Sequence, residues 1–150
     1  MKCVLWRSAH FVSCALVDTG AIVALVNRAD RHHAAAVAWF AAYRGVLLTT
    51  AAVITKTAYV LAASRPHQRA ALLWCERART AGLLQVEPVA DYAALDVIMA
   101  RYARLPCDYA DATLIAVAEH TGVTVIATVD QRDFSVYRTR ARKRFRIVLG

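Results

Sequence analysis

Residues 108–134, Asp108-Tyr-Ala-Asp111-Ala-Thr-Leu-Ile-Ala-Val-Ala-Glu-His-Thr-Gly122-Val-Thr-Val-Ile-Ala-Thr-Val-Asp130-Gln-Arg-Asp133-Phe134, decide how this chain folds. The run from Tyr109 to Thr121 mixes small and aliphatic residues with few charges, as a buried helix does, and two aspartates open it. Gly122 turns the chain, Val123 to Thr128 reads as a short apolar strand, and Asp130 and Asp133 follow its end. Far back, a second apolar run, Ala15-Leu-Val17, ends in Asp18. If the two strands are parallel neighbours, Asp18 and Asp130 leave the same carboxyl edge of one sheet, where open α/β folds place their sites. Asp18, Asp108, Asp111, Asp130 and Asp133 then converge on one crevice.

Working outward, the remaining chain alternates short strands with helices. Cys14 to Val17 reads as the first strand, followed by an apolar helix from Thr19 to Val26 and a second from about His32 to Tyr43, with Gly45 ending it. Val46 to Thr49 is the next strand, and Thr49 or Thr50 caps a helix to about Ser64. Pro66 suits the first turn of a helix to Ala81. Leu83 to Val86 is a third strand, stopped by Pro88, and Asp91 opens an amphipathic helix to about Arg104. Arg144-Phe-Arg-Ile alternates in the manner of an edge strand. The expected architecture is a three-layer α/β/α sandwich on a mostly parallel sheet of four to five strands.

At 150 residues the chain is long enough for one domain with a true core. We read residues 15–150 as that domain with a basic tail, and residues 1–14 as an N-terminal extension, for instance from an upstream start codon. A secretion signal is disfavoured because the apolar run leads directly into the strand bearing Asp18. No apolar stretch reaches the roughly 18 residues of a spanning helix, so the reading is a cytoplasmic protein without membrane contact. Cys3, Cys14, Cys75 and Cys107 are scattered, without zinc spacing, and read as reduced thiols. His32-His33 reads as a solvated helix start.

The formal charge is +8, and Arg supplies 16 of the 19 basic residues. Arg favours bidentate contact with phosphate oxygens, which points to a polyanionic partner. Carboxylates gathered beside such a partner repel one another unless a cation neutralises them, and hard divalent cations such as Mg²⁺ or Mn²⁺ accept oxygen ligands of this kind.

Three motifs, Val17-Asp18-Thr19-Gly20-Ala21, Asp108-Tyr-Ala-Asp111-Ala and Ala127-Thr128-Val-Asp130-Gln-Arg-Asp133-Phe134, resemble those of PIN-domain ribonucleases, in particular the VapC toxins of bacterial toxin–antitoxin pairs. The resemblance implies a PIN-like fold and a Mg²⁺- or Mn²⁺-dependent endoribonuclease, inhibited by a small VapB-type antitoxin and often homodimeric. By position it implies metal-binding roles for Asp18, Asp111 and Asp130, accessory roles for Asp108 and Asp133, and a supporting hydroxyl at Thr128. Arg138, Arg140, Arg142, Lys143 and Arg144 are expected to hold the RNA backbone. The bland readings are a helix cap for Asp108, an acid favoured by the N-terminal helix dipole for Asp111, and turn formers for Asp130 and Asp133.

One position departs from the resemblance. Where the family usually carries Glu, in a phrase like Val-Leu-Ala-Glu-Val-Ala-Tyr, this chain has Val53-Ile-Thr-Lys56-Thr-Ala-Tyr59. An ammonium there changes the local charge by two units and is expected to pair with Asp18 or Asp111 and weaken or abolish metal binding. Two origins stay open: an inactivating single-base change, or a naturally degenerate, catalytically silent RNA- or antitoxin-binding module. An aspartyl-phosphate phosphatase fits poorly, because position 20 is Gly where that chemistry wants a second Asp. A receiver-type phospho-acceptor also fits poorly, since it needs paired acids after the first strand.

Overall fold

The computed structural model describes residues 12–149; the assigned extension therefore lies almost wholly outside the described residues, as does Cys3. Twelve elements follow one another. They are β1 (Cys14–Val17), α1 (Thr19–Val26), α2 (His33–Ala42), β2 (Val46–Thr50), α3 (Ala51–Val60), α4 (Arg65–Thr80), β3 (Leu84–Glu87), α5 (Tyr92–Arg101), α6 (Tyr109–Thr121), β4 (Val125–Ala127), α7 (Gln131–Val136) and β5 (Arg146–Ile147). The five strands form one sheet in the order β3-β2-β1-β4-β5, all parallel. This is the α/β sandwich anticipated.

Parallel strands need crossovers, and right-handed crossovers put α1 to α4 on one face and α5 to α7 on the other. Packing agrees: α1 touches α2, α3 and α4, whereas α5 packs on α6. Both sheet faces are therefore covered, which is why β1 and β2 read as continuous apolar runs rather than alternations. Leu16, Leu48 and Ile126 from the sheet, Ile22 and Val53 from one helical layer, and Leu95, Ile98, Leu114, Ile115 and Phe134 from the other are fully buried. Each Leu or Ile of that set contributes roughly 1.5–3 kcal/mol through burial.

Helix α6 is the most enclosed of the helices. Ala110, Asp111, Ala112, Thr113, Leu114, Ile115, Val117, Ala118 and Thr121 are all buried. Asp108 caps its start, and Gly122, at φ 77°, donates its N–H to the Ala118 carbonyl at the end. Small residues let this helix lie against the sheet and α3 at once.

Several boundaries moved. The helix expected to reach Ser64 stops at Val60, the one expected to reach Arg104 stops at Arg101, and the fourth strand is confined to Val125–Ala127. Residues 131–136, to which no element was assigned from the sequence, form α7, whose buried members are Asp133 and Phe134. A six-residue helix spans less than two turns, too short for its period to stand out.

Candidate active site

Strand order reverses between β1 and β4, and their carboxyl ends meet there: the Asp18 N–H donates to the Ala127 carbonyl at 3.0 Å. Asp18 then caps α1, accepting the Thr19 N–H at 2.6 Å on Oδ1, while Oδ2 accepts the Thr128 hydroxyl at 2.8 Å. Thr128, fully buried, accepts the Asp130 N–H at 3.0 Å on the same hydroxyl oxygen. Asp130 in turn caps α7 by accepting the Asp133 N–H at 3.0 Å. Thus the turn after one strand is tied to the turn after the other by a single threonine. Gly20 is needed beside this tie, because a Cβ there would lie 2.5 Å from Val129 Cγ2. Gly20→Ala is expected to cost about 1–3 kcal/mol by overpacking, measurable by urea unfolding.

From the other helical layer, Asp108 accepts the Asp111 N–H at 2.9 Å, so the capping reading of Asp108 holds. Asp111 is buried, and its Oδ2 accepts the Tyr137 hydroxyl at 3.2 Å. Sequence reasoning missed Tyr137; the available signal was a tyrosine in an apolar setting, whose hydroxyl needs a buried partner. It also missed the hydrogen bond of 2.8 Å between the Thr50 and Thr113 hydroxyls, which joins the start of α3 to α6.

That joint delivers Lys56 to the crevice. Its Nζ stands 2.5 Å from Asp108 Oδ2 and 3.9 Å from Asp111 Oδ1. The tighter partner is thus Asp108, where pairing with Asp18 or Asp111 was expected. Asp18 is reached through its field alone. Burial works against the Lys56 charge, but Asp108, Asp111 and Asp18 outweigh it and hold its pKa above the ordinary lysine value.

The acids feel the opposite pressure. Burial, then the charges of Asp18 and Asp108, push the Asp111 carboxyl up to about 7 against the pull of Lys56 and the Tyr137 hydrogen bond. Burial also raises Asp18, opposed by Thr128, the Thr19 amide and Lys56, with Asp130 adding to the rise. Asp133 is raised by burial and by Asp130. Asp111 thus feels Asp18 and Asp108, Asp18 feels Asp130, and Asp133 feels Asp130, which links the acids in a chain.

Carboxylate oxygens suit a hard divalent cation, yet this arrangement does not fit one as it stands. Asp108 and Asp111 face the Lys56 ammonium, a positive charge already in the crevice that repels a second cation. Among the described residues no three His, Cys, Asp or Glu side chains gather closely enough to hold an ion.

The sequence model of the PIN domain matches residues 15–139. The chain belongs to the PIN domain family. Among solved structures, this PIN domain is similar to the VapC20 toxin of Mycobacterium tuberculosis, a sarcin-ricin loop cleaving toxin, at 24% identity and a TM-score of 0.65 over 80% of this chain and 92% of that one. That likeness bears on the fold. No curated protein sequence gives a significant match.

The basic tail of the PIN domain is tied to α6 at Arg140, about two turns beyond Asp111. Arg138 pairs with Arg144 in an antiparallel bridge, and the Arg140 N–H donates to Glu119 Oε1 at 2.6 Å. Glu119 also holds Arg101 at 3.3 Å and lies eight residues beyond Asp111 on α6, roughly 12 Å along the axis. Arg138, Arg140, Arg142, Lys143 and Arg144 thus form a turn anchored toward the other end of that helix, a position charge alone does not specify.

Elsewhere the domain is quiet. Burial pushes the Cys75 and Cys107 thiols up to about 11, so both stay protonated and inert. His32 and His33 begin α2, and the His33 ring donates to the Ala24 carbonyl. Among the described residues no helix is long and apolar enough to cross a membrane.

Removing the threonine tie should be costly. Thr128→Val leaves Asp18 buried without its hydroxyl donor and the Asp130 amide without its acceptor, an expected loss of about 2 kcal/mol in urea unfolding.

Proposed function

We propose that this PIN domain is a VapC-type endoribonuclease toxin whose Mg²⁺-dependent hydrolysis of RNA phosphodiesters is inactivated or weakened by Lys56, and whose partner is a VapB-type antitoxin. The observation that carries the reading is the acid cluster at the reversal of strand order, assembled on four elements and neutralised from within by the Lys56 ammonium. Family membership supports a nuclease, and VapC nucleases of this fold generally use a divalent metal. In this chain Thr128 and Tyr137 hold two of the acids in place, Asp108 and Asp130 fix the helices that carry the others, and Lys56 supplies the counter-charge. The basic surface would hold the RNA backbone, Arg138 to Arg144 included, and exposed Val60, Leu72 and Leu73 on α3 and α4 suit a homodimer face.

A second reading, a catalytically silent RNA- or antitoxin-binding module, is favoured by the lack of a three-ligand group among the described residues. Single-stranded RNA incubated with the native chain and with Lys56→Glu, in Mg²⁺ and in chelator, separates the two. The first reading expects Mg²⁺-dependent fragments from the variant and few or none from the native chain. If the variant stays silent while native RNA binding weakens steeply with salt, the module reading stands.

A further inference from the structure

Beside the acid cluster lies an open cavity of about 850 Å³, a volume suited to a small organic group. Lys56 and Asp108 form its wall toward the acids, and Thr55 and Pro88 line it further out. Its distinguishing feature is aromatic. Tyr59, Tyr92 and Tyr109 line it, at 81%, 69% and 44% exposure, and among the described residues these are the exposed aromatic side chains of the protein. The remaining described aromatics are buried or half-buried in ring clusters such as Trp39–Phe40–Trp74 and Phe134–Tyr137–Phe145. Three separate helices, α3, α5 and α6, bring the tyrosines to this one place.

We infer that this cavity is a nucleobase subsite for single-stranded RNA, with Tyr59, Tyr92 and Tyr109 as stacking surfaces that seat a base next to the acid cluster. The inference rests on the RNA-directed reading above and adds to it which part of the nucleotide is gripped and where. The net charge of +8 draws a polyanion to the chain as a whole, whereas the cavity's own charged lining is Lys56, Asp108 and Glu87, so it is the apolar ring faces and not local charge that favour a base here. Chemistry favours it too: a base has an apolar face for the rings and polar edges for the Thr55 hydroxyl and the Lys56 ammonium. Stacking of this kind is sequence-tolerant and requires bases free of a duplex. The subsite shares Lys56 and Asp108 with the acid cluster, so a base seated in it lies next to the acids.

The test uses fluorescence anisotropy of a short fluorescein-labelled single-stranded RNA with the whole chain. Tyr59→Ala, Tyr92→Ala and Tyr109→Ala should each weaken binding about tenfold, with the slope against salt unchanged, because no phosphate contact is lost. The corresponding Phe variants should bind as the native chain does, and a duplex of the same sequence should bind without dependence on the tyrosines. Native-level affinity in all three Ala variants overturns the subsite while leaving the RNA-directed reading in place. Ala variants that bind RNA normally but sediment as smaller species than the native chain overturn it in favour of self-association through this face. Absence of any RNA binding by the native chain overturns both.

Discussion

In chelator, Lys56→Glu should melt about 4–8 °C below the native chain, and millimolar Mn²⁺ should restore or exceed the native value. The substitution swings the crevice by two charge units and leaves Asp108 and Asp111 facing a third carboxylate. Removal of a partner from a fully buried pair costs roughly 3–5 kcal/mol. Lys56 and Asp108 are 34% and 45% exposed, so solvent screens part of that, and about 2 kcal/mol is the expected loss. For a chain of this size each kcal/mol moves the midpoint by roughly 2–4 °C. An added ion then binds the folded variant only, contributing about 2.7 kcal/mol at a hundredfold excess over its Kd. The native chain, with its ammonium in place, should show no response to Mn²⁺. A variant whose melting is equally indifferent to Mn²⁺ would sink the idea that position 56 controls a metal site.

Asp111→Asn is expected to flatten the fall of stability between about pH 4 and pH 7 and to stabilise the chain at about pH 8. In the folded protein this carboxyl keeps its proton up to about 7, whereas its ordinary value is 3.8. Between those values the folded state holds a proton that the unfolded state has released, so stability declines as pH rises through the window and stays low above it. A displacement of that size, which already contains the pull of Lys56, corresponds to about 4 kcal/mol. The Asn side-chain carbonyl still accepts the Tyr137 hydroxyl, so packing is kept while the charge is removed. Asp18 and Asp133 are raised in the same direction and should leave a shallower residual slope in the variant. Unfolding by urea at about pH 4, 6 and 8 reads this directly; equal slopes for native and variant would mean that Asp111 ionises normally.

Much of this was legible in the chain itself. Asp18 and Asp130 each stand just beyond an apolar run, and in a doubly covered parallel sheet the ends of such runs have few places to go. The helix caps were readable for the same reason: Thr50, Asp91 and Asp108 precede clear periodic stretches and do accept the expected backbone amides. The unread parts depended on distance in space. Lys56 was placed among acids, but its choice of Asp108 follows from how α3 leans on α6 through Thr50 and Thr113. The tail announced its charge and not its location, since Glu119 captures the Arg140 backbone amide rather than its guanidinium. Helix α7 was hidden because Asp130 and Asp133 are common turn formers.

The threonine that binds Asp18 comes 110 positions later in the chain. During synthesis, β1 to β3 leave the ribosome with one side of β1 open, and β4 is still to be made. The acids cannot assemble into a site until that late strand arrives.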